Sequence, residues 1–196
     1  MNLILASQSP RRKALLQKFG LNFRVEVIPA EEIEEGDPQT VAATNACSKA
    51  LAVSVLHPQS LVIGADTIVV LDETILGKPK NHEEARAMLR SLSGREHQVT
   101  TVVALVQGGT ALNIFSETTS VRFRPLSITE IESYVAGGEP FDKAGAYGIQ
   151  GFGGLLVESI KGCYYNVMGL PMSRLVVELR KLGLEIFPKP AQGGER

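Results

Sequence analysis

The stretch that most constrains the fold is Leu3 to Arg12, reading Leu-Ile-Leu-Ala-Ser-Gln-Ser-Pro-Arg-Arg. A short apolar run passes straight into two serines, a proline and two arginines. Physically this is a buried strand delivering the chain to a helix N-terminus, and such a unit commits the chain to a sheet with helices packed on it. Ser9 suits the N-cap and Pro10 the first helical turn. Free backbone N–H groups at that point, with Arg11 and Arg12 beside them, make a place for an anion, phosphate above all. The residues alone leave a second reading equally open, an ordinary capped helix with solvated arginines.

The rest of the chain alternates strands with helices. The patterns predict strands over 3–6, 23–28, 61–65 and 155–160, and helices over 10–19, 37–56 and 171–182. Residues 68–76 read as a hairpin folding around Asp72-Glu73. The runs 98–106 and 111–123 read as another, joined by Gly108-Gly109. Asn81 with Glu84, and Ser127 with Glu130, have capping-box spacing before helices ending near Gly94 and Gly137-Gly138. Strands mixed with helices and hairpins imply α/β architecture with a mixed, not purely parallel, sheet.

Composition narrows the function. A formal charge of -1 over 196 residues argues against a nucleic-acid binder, so any phosphate site must be a local cluster of cations. Cys47 and Cys163 lack metal-ligand spacing and read as reduced, packed thiols of a cytoplasmic protein. His57, His82 and His97 form no zinc pattern. A motif begins within a few residues of the N-terminus, so no signal peptide is expected, and no apolar run approaches the roughly 18 residues of a membrane span. Neither G-x-x-x-x-G-K-[ST] nor G-x-G-x-x-G occurs, which removes the P-loop and Rossmann routes to nucleotide binding.

Three more blocks carry the identification further. Residues 62–79 read Val-Ile-Gly-Ala-Asp-Thr-Ile-Val-Val-Leu-Asp-Glu-Thr-Ile-Leu-Gly-Lys-Pro, residues 142–151 read Asp-Lys-Ala-Gly-Ala-Tyr-Gly-Ile-Gln-Gly, and residues 164–171 read Tyr-Tyr-Asn-Val-Met-Gly-Leu-Pro. With the opening segment, and in this order, they resemble the Maf family of nucleotide pyrophosphatases nearly end to end. The resemblance implies a single domain over 1–187 followed by a flexible tail at 188–196. It implies an elongated mixed β-sheet flanked by helices, with two lobes and a central cleft, shared in outline with inosine triphosphatases. It also implies a reaction: water attacks the α-phosphorus of a nucleoside triphosphate, giving the monophosphate and pyrophosphate with the help of Mg2+ or Mn2+.

Site residues follow from the same matches. Asp66 ends an apolar run, where a carboxylate must be solvated, paired or functional. As a residue it suits a turn; the resemblance makes it the general base. Glu31 and Glu32, in an acidic stretch that otherwise reads as a solvated loop, match an acidic pair that would hold the metal, although Pro29 stands where the family often has another acid. Arg11, Arg12, Lys49 and Lys78 match cationic positions for the phosphates, and Ser7 and Ser9 are hydroxyls placed to bond them. Asp142 and Lys143 read as an ion pair. Arg11, Thr67 and Gln150 together match the subgroup associated with dTTP and UTP, whereas the subgroup associated with 7-methyl-GTP typically carries Trp, Gln and Glu there. A non-catalytic nucleotide-binding regulator of septum formation is the alternative from another class, and a homodimer is a family expectation.

Overall fold

A computed structural model describes residues 2–187; the tail expected at 188–196 lies outside the described residues. The first strand, β1 (Asn2–Leu5), leads through Ser9 into α1 (Pro10–Lys18). Ser9 caps that helix as expected, its hydroxyl accepting from the Arg12 backbone N–H at 3.4 Å. The predicted strand over 23–28 shrinks to β2 (Arg24–Val25). It is an edge strand whose only register is with Ile4 and Leu5, so the shortness of β1 limits it. Asp37 caps α2 (Pro38–Leu56), accepting from the Thr40 N–H at 2.9 Å.

One expectation is corrected here. The apolar run does not end at Asp66: β3 is continuous over Ser60–Leu71. The apparent break at Asp66-Thr67 is bridged by antiparallel pairing with Val102 and Thr101 on β5 (Glu96–Gln107), which holds both residues extended. The turn falls later, at Asp72 and Glu73, with φ of 47° and 67°, and β4 (Thr74–Leu76) folds back onto the end of β3. These positive angles are the ones a two-residue hairpin turn requires. Next come α3 (His82–Leu92), β5, and β6 (Thr110–Phe123). The Ser127–Glu130 capping box forms in full at the start of α4 (Ile128–Ala136). At Asn81 only half of it forms: Asn81 caps Glu84, but the Glu84 carboxylate accepts from the Lys80 N–H. Short 3₁₀ turns fill 139–156, before β7 (Val157–Lys161), a short helix α5 (Tyr164–Val167) that the sequence patterns do not reveal, and α6 (Met172–Lys181).

The seven strands form one sheet in the order β2-β1-β3-β5-β6-β7, with β4 attached to β3. β1 is parallel to β2 and β3, and the other pairs are antiparallel, so the sheet is mixed as expected. Helix α2 covers one face, where Ala42, Ala46 and Ala50 pack with Ile4, Val62 and Val102. The other face carries two separate cores. Leu61, Ile63 and Ala65 pack with Leu15 and Leu16 of α1 and Leu175 and Leu179 of α6. Val69 and Leu71 pack with Leu89 of α3, Ile131 of α4, and Phe123. The boundary between these cores falls at Thr67, and the two lobes expected from sequence are these two halves.

Edge pairing leaves a notch at the same place. Along one edge of β3, β1 pairs with Ser60 to Ile63 and β4 with Val69 to Leu71. Residues 64–68 pair there with neither and are held only by β5 on the other edge. Helix α2 can lie close over this stretch because Gly64 has no side chain: a Cβ there would stand 2.2 Å from the Ala46 carbonyl oxygen and 2.8 Å from the Ala50 Cβ. Backbone on one side and a methyl on the other leave that atom nowhere to go. Gly64→Ala should therefore destabilise the protein by about 3 kcal/mol, the upper part of the usual range for overpacking, read as a lower urea midpoint at unchanged m-value.

Candidate active site

The notch is lined from both faces of the sheet, because adjacent residues of a strand point opposite ways. Asp66 faces α2. Its Oδ1 accepts from Lys49 Nζ at 2.7 Å, and the same ammonium is 2.7 Å from Oε2 of Glu32. Lys49 reaches this point from the middle of α2 with its side chain 19 % exposed, and one cation bridges the two carboxylates.

Thr67 faces α1 and α6, and here the network centres on Arg12. Its Nε donates to the Gly169 carbonyl at 2.8 Å, Nη1 to Ser7 Oγ at 3.1 Å and Nη2 to Thr67 Oγ1 at 2.9 Å. Thr101 donates its hydroxyl to the Asn166 carbonyl, so in the 2.9 Å hydrogen bond between Thr67 and Thr101 the donor is Thr67. Arg12 thereby ties three sequence blocks together, the opening segment, the Asp66 block and the C-terminal block. Burial lowers its pKa to about 10, against the opposing pull of the Asp66 charge, so it remains a cation at neutral pH. Most of its donors are committed to the protein, and it acts on the site chiefly as a fixed positive charge.

Arg11 points elsewhere. Its Nη1 donates to Asp142 Oδ2 at 2.7 Å and its Nη2 to the Asp142 carbonyl at 3.3 Å, across 131 residues of sequence. The expected Asp142–Lys143 pair is present at 2.5 Å, and Arg11 is its third member. Lys78 and Gln150 are exposed and make no side-chain hydrogen bond among the described residues; each sits on a loop. Those loops are joined by the Gly145 N–H, which donates to the Gly77 carbonyl at 3.0 Å. Glu31 is exposed and, among the described residues, outside every ion pair. Of the predicted residues, then, Ser7, Ser9, Arg12 and Thr67 form one network and Glu32, Lys49 and Asp66 another. Thr101 and Glu139 match no sequence pattern, and Asn166 and Gly169 stand in the 164–171 block without a role, since a hydrogen bond between distant segments leaves no local pattern.

The loop bearing Gln150 is anchored beneath by Tyr147, whose hydroxyl lies 2.7 Å from Nε2 of His97. His97 is 2 % exposed and stands edge-on to Phe123 and Tyr147 at centroid distances of 5.1 and 5.4 Å. Desolvation drives its pKa down to about 4, and it is neutral in the folded protein. An unfolded chain takes up that proton near pH 6.5. Between these values the unfolded state binds more protons, so stability is full above pH 6.5 and falls as pH drops to about 4. The loss comes to about 3 kcal/mol at 1.36 kcal/mol per pKa unit. His97→Gln, which still offers Tyr147 a partner, should flatten the fall in urea midpoint between pH 6.5 and 4.

Taken together, these contacts define an α/β protein in which several cations and one strand carboxylate gather at a notch in the sheet. The family model described as Maf-like protein matches residues 2–182, and this chain belongs to the Maf family. A dTTP/UTP pyrophosphatase of Symbiobacterium thermophilum is 52% identical over 187 residues, covering 94% of this chain and 96% of that protein. One of Clostridioides difficile is 48% identical over 184 residues, covering 92% and 95%. Among solved structures, a nucleoside-triphosphatase / dITP/XTP pyrophosphatase of Mycobacterium abscessus overlays at a TM-score of 0.47 and 16% identity, covering 93% of this chain and 95% of that one. Among the described residues no helix is long and apolar enough to cross a membrane.

Proposed function

We propose that this protein is a nucleoside triphosphate pyrophosphatase that hydrolyses dTTP and UTP to the nucleoside monophosphate and pyrophosphate. The observation that carries the reading is Asp66, an ionisable group in the notch of a buried strand with Lys49 on it and Arg12 close by. Lys49 holds Oδ1, while Oδ2 has no hydrogen-bond partner among the described residues and is placed to take a proton from water. General-base removal of that proton as the oxygen attacks the α-phosphorus is the role assigned to Asp66. Pyrophosphate leaves. A triphosphate brings about four negative charges, and Lys49, Lys78 and Arg12 offset them as charge builds on the leaving group.

The residues present also suit Mg2+ or Mn2+. Both take oxygen donors, and Mg2+ is commonly held by one or two carboxylates together with substrate phosphates and water. Glu32, whose Oε2 lies 2.7 Å from Lys49 Nζ, and Glu31 next to it in sequence are two such carboxylates. No cluster of three or more metal-ligating side chains occurs among the described residues, so the phosphates must complete any site. When bound, the ion supplies positive charge to the phosphate oxygens.

Base choice is assigned to Gln150 and Arg11. A primary amide can answer the N3–H and a carbonyl of thymine or uracil, but a flipped amide suits cytosine equally. Arg11, as a donor only, breaks the tie, because cytosine's amino group cannot accept from it. Full identity at Arg11, Thr67 and Gln150 with the dTTP/UTP subgroup pattern, together with the relatives' names, supports the pyrimidine reading over 7-methyl-GTP.

Pyrophosphate release from dTTP, UTP, dCTP, dATP and 7-methyl-GTP, with Mg2+, with Mn2+ and after chelation, tests this. The expected result is turnover of dTTP and UTP that stops on chelation. Nucleotide binding without pyrophosphate release would favour the regulator. Asp66→Asn should lower kcat by roughly 10²–10⁴-fold while nucleotide binding survives, the usual cost of losing a general base. Gln150→Glu should chiefly reduce pyrimidine turnover, because a carboxylate repels the base carbonyl while Asp66 stays in place. Its signature is a lower kcat/KM for dTTP with the chelation response unchanged.

A further inference from the structure

The two groups assigned to the base come from distant parts of the chain, Arg11 from α1 and Gln150 from the loop before the 3₁₀ turn Gly151–Leu156, and a selective pocket needs them at a fixed separation. We propose that Glu139 and Asp142 are positioning residues that set this separation, joined through Lys143 into one polar bracket. The inference rests on the base-reading role given above to Arg11 and Gln150.

The Gln150 end is built on Glu139. Gln150 immediately precedes the 3₁₀ turn Gly151–Leu156, whose first N–H groups have no partner within the turn. Glu139, from the preceding segment, supplies one: Oε2 accepts from the Phe152 N–H at 3.1 Å and Oε1 from the Gly153 N–H at 3.1 Å. The Tyr134 hydroxyl donates to Oε1 at 3.0 Å and aims the carboxylate. A carboxylate across the N–H groups of a turn is the favourable charge arrangement, and hydrogen bonds to an ionised acceptor are the stronger kind. The approach is close, and at Gly153 it leaves room for glycine alone. A Cβ at Gly151 would lie 3.0 Å from Oε2, and one at Gly153 would lie 2.2 Å from the Gly148 carbonyl oxygen. Gln150 therefore starts from a backbone that Glu139 holds in place.

The Arg11 end is built on Asp142. Two guanidinium nitrogens meet the side chain and the carbonyl of that one residue, which fixes the plane of the group as well as its position. Lys143 closes the bracket. Its ammonium donates to the Glu139 carbonyl at 2.6 Å and to Asp142 Oδ1 at 2.5 Å, and its stem lies against Gly148, where a Cβ would come 2.8 Å from the Lys143 Cε. A continuous path thus runs from Arg11 through Asp142, Lys143 and Glu139 to the amides that follow Gln150.

Magnitudes favour a positioning role over a stabilising one. The Asp142 side chain is 56 % exposed, and an exposed pair contributes about 0–1 kcal/mol to stability. A base-reading donor displaced by about 1 Å, by contrast, can cost orders of magnitude in rate. Without Asp142, Arg11 is free to follow any phosphate, and the tie between thymine and cytosine returns.

Steady-state hydrolysis of dTTP and dCTP by the full chain tests this with Asp142→Asn and Glu139→Gln. Asp142→Asn should lower the ratio of kcat/KM for dTTP over dCTP by about tenfold, mainly through the KM for dTTP, with kcat within about threefold of the unmodified protein. Glu139→Gln should shift the ratio the same way and also speed hydrogen exchange at the Phe152 and Gly153 amides. If Glu139→Gln does not fold, Asp142→Asn, altered at an exposed side chain, decides alone. A ratio unchanged within twofold in a folded variant overturns the inference, and so does an equal loss of kcat on both nucleotides. An unmodified protein that does not prefer dTTP over dCTP overturns the base-reading assignment and this inference with it. A clear preference that survives both substitutions overturns this inference alone.

Discussion

An ionised carboxylate in the middle of a twelve-residue strand would cost several kcal/mol if it met only apolar neighbours. Asp66 meets Lys49 instead, and the rest of the molecule is arranged around that contact. For Lys49 to arrive, α2 must lie close against β3, which the Gly64 and Ala46/Ala50 contact allows. For Asp66 to remain open on one side, the neighbouring strands must stop short, as β1 does at Ile63 and β4 at Val69. The ion pair, the helix packing and the sheet notch are therefore one construction.

Thr67 shows the same economy on the opposite face. The strand places Asp66 and Thr67 on two sides of one sheet, so one dipeptide is tied both to α2 and to the Arg12 network. Arg12 then fastens the opening loop to the C-terminal block through the Gly169 carbonyl. Each fastening uses groups whose desolvation would be costly if left unpaired, so the loops have few other low-energy positions. The second lobe is anchored differently, by aromatic packing under Tyr147 and by the backbone link between Gly145 and Gly77.

Local chemistry made much of this readable. Ser9, Asp37 and Ser127 announce helix starts because caps act over three or four residues. Gly108-Gly109 announces a hairpin because few residues tolerate its angles. Ordered blocks carry Asp66 and Arg12, whereas Lys49 lies outside them and is matched only through the family resemblance. Long-range effects were not readable. Asp66-Thr67 looks like the end of a strand, and only pairing with β5 continues it. The 23–28 run looks like a full strand, and only the brevity of its partner cuts it down.

The sequence by itself determined where most helices start, where the two hairpins turn and that the sheet is mixed. These follow from capping, turn angles and apolar periodicity, all of which act within a few residues of one another. The tertiary structure alone decided what each charge does. Lys49 lies between two carboxylates, Arg12 is committed to a carbonyl and two hydroxyls, and Arg11 is gripped by a residue 131 positions away. Those partners depend on where a strand stops and how closely a helix approaches, and such distances are set by packing between distant segments that no local pattern records.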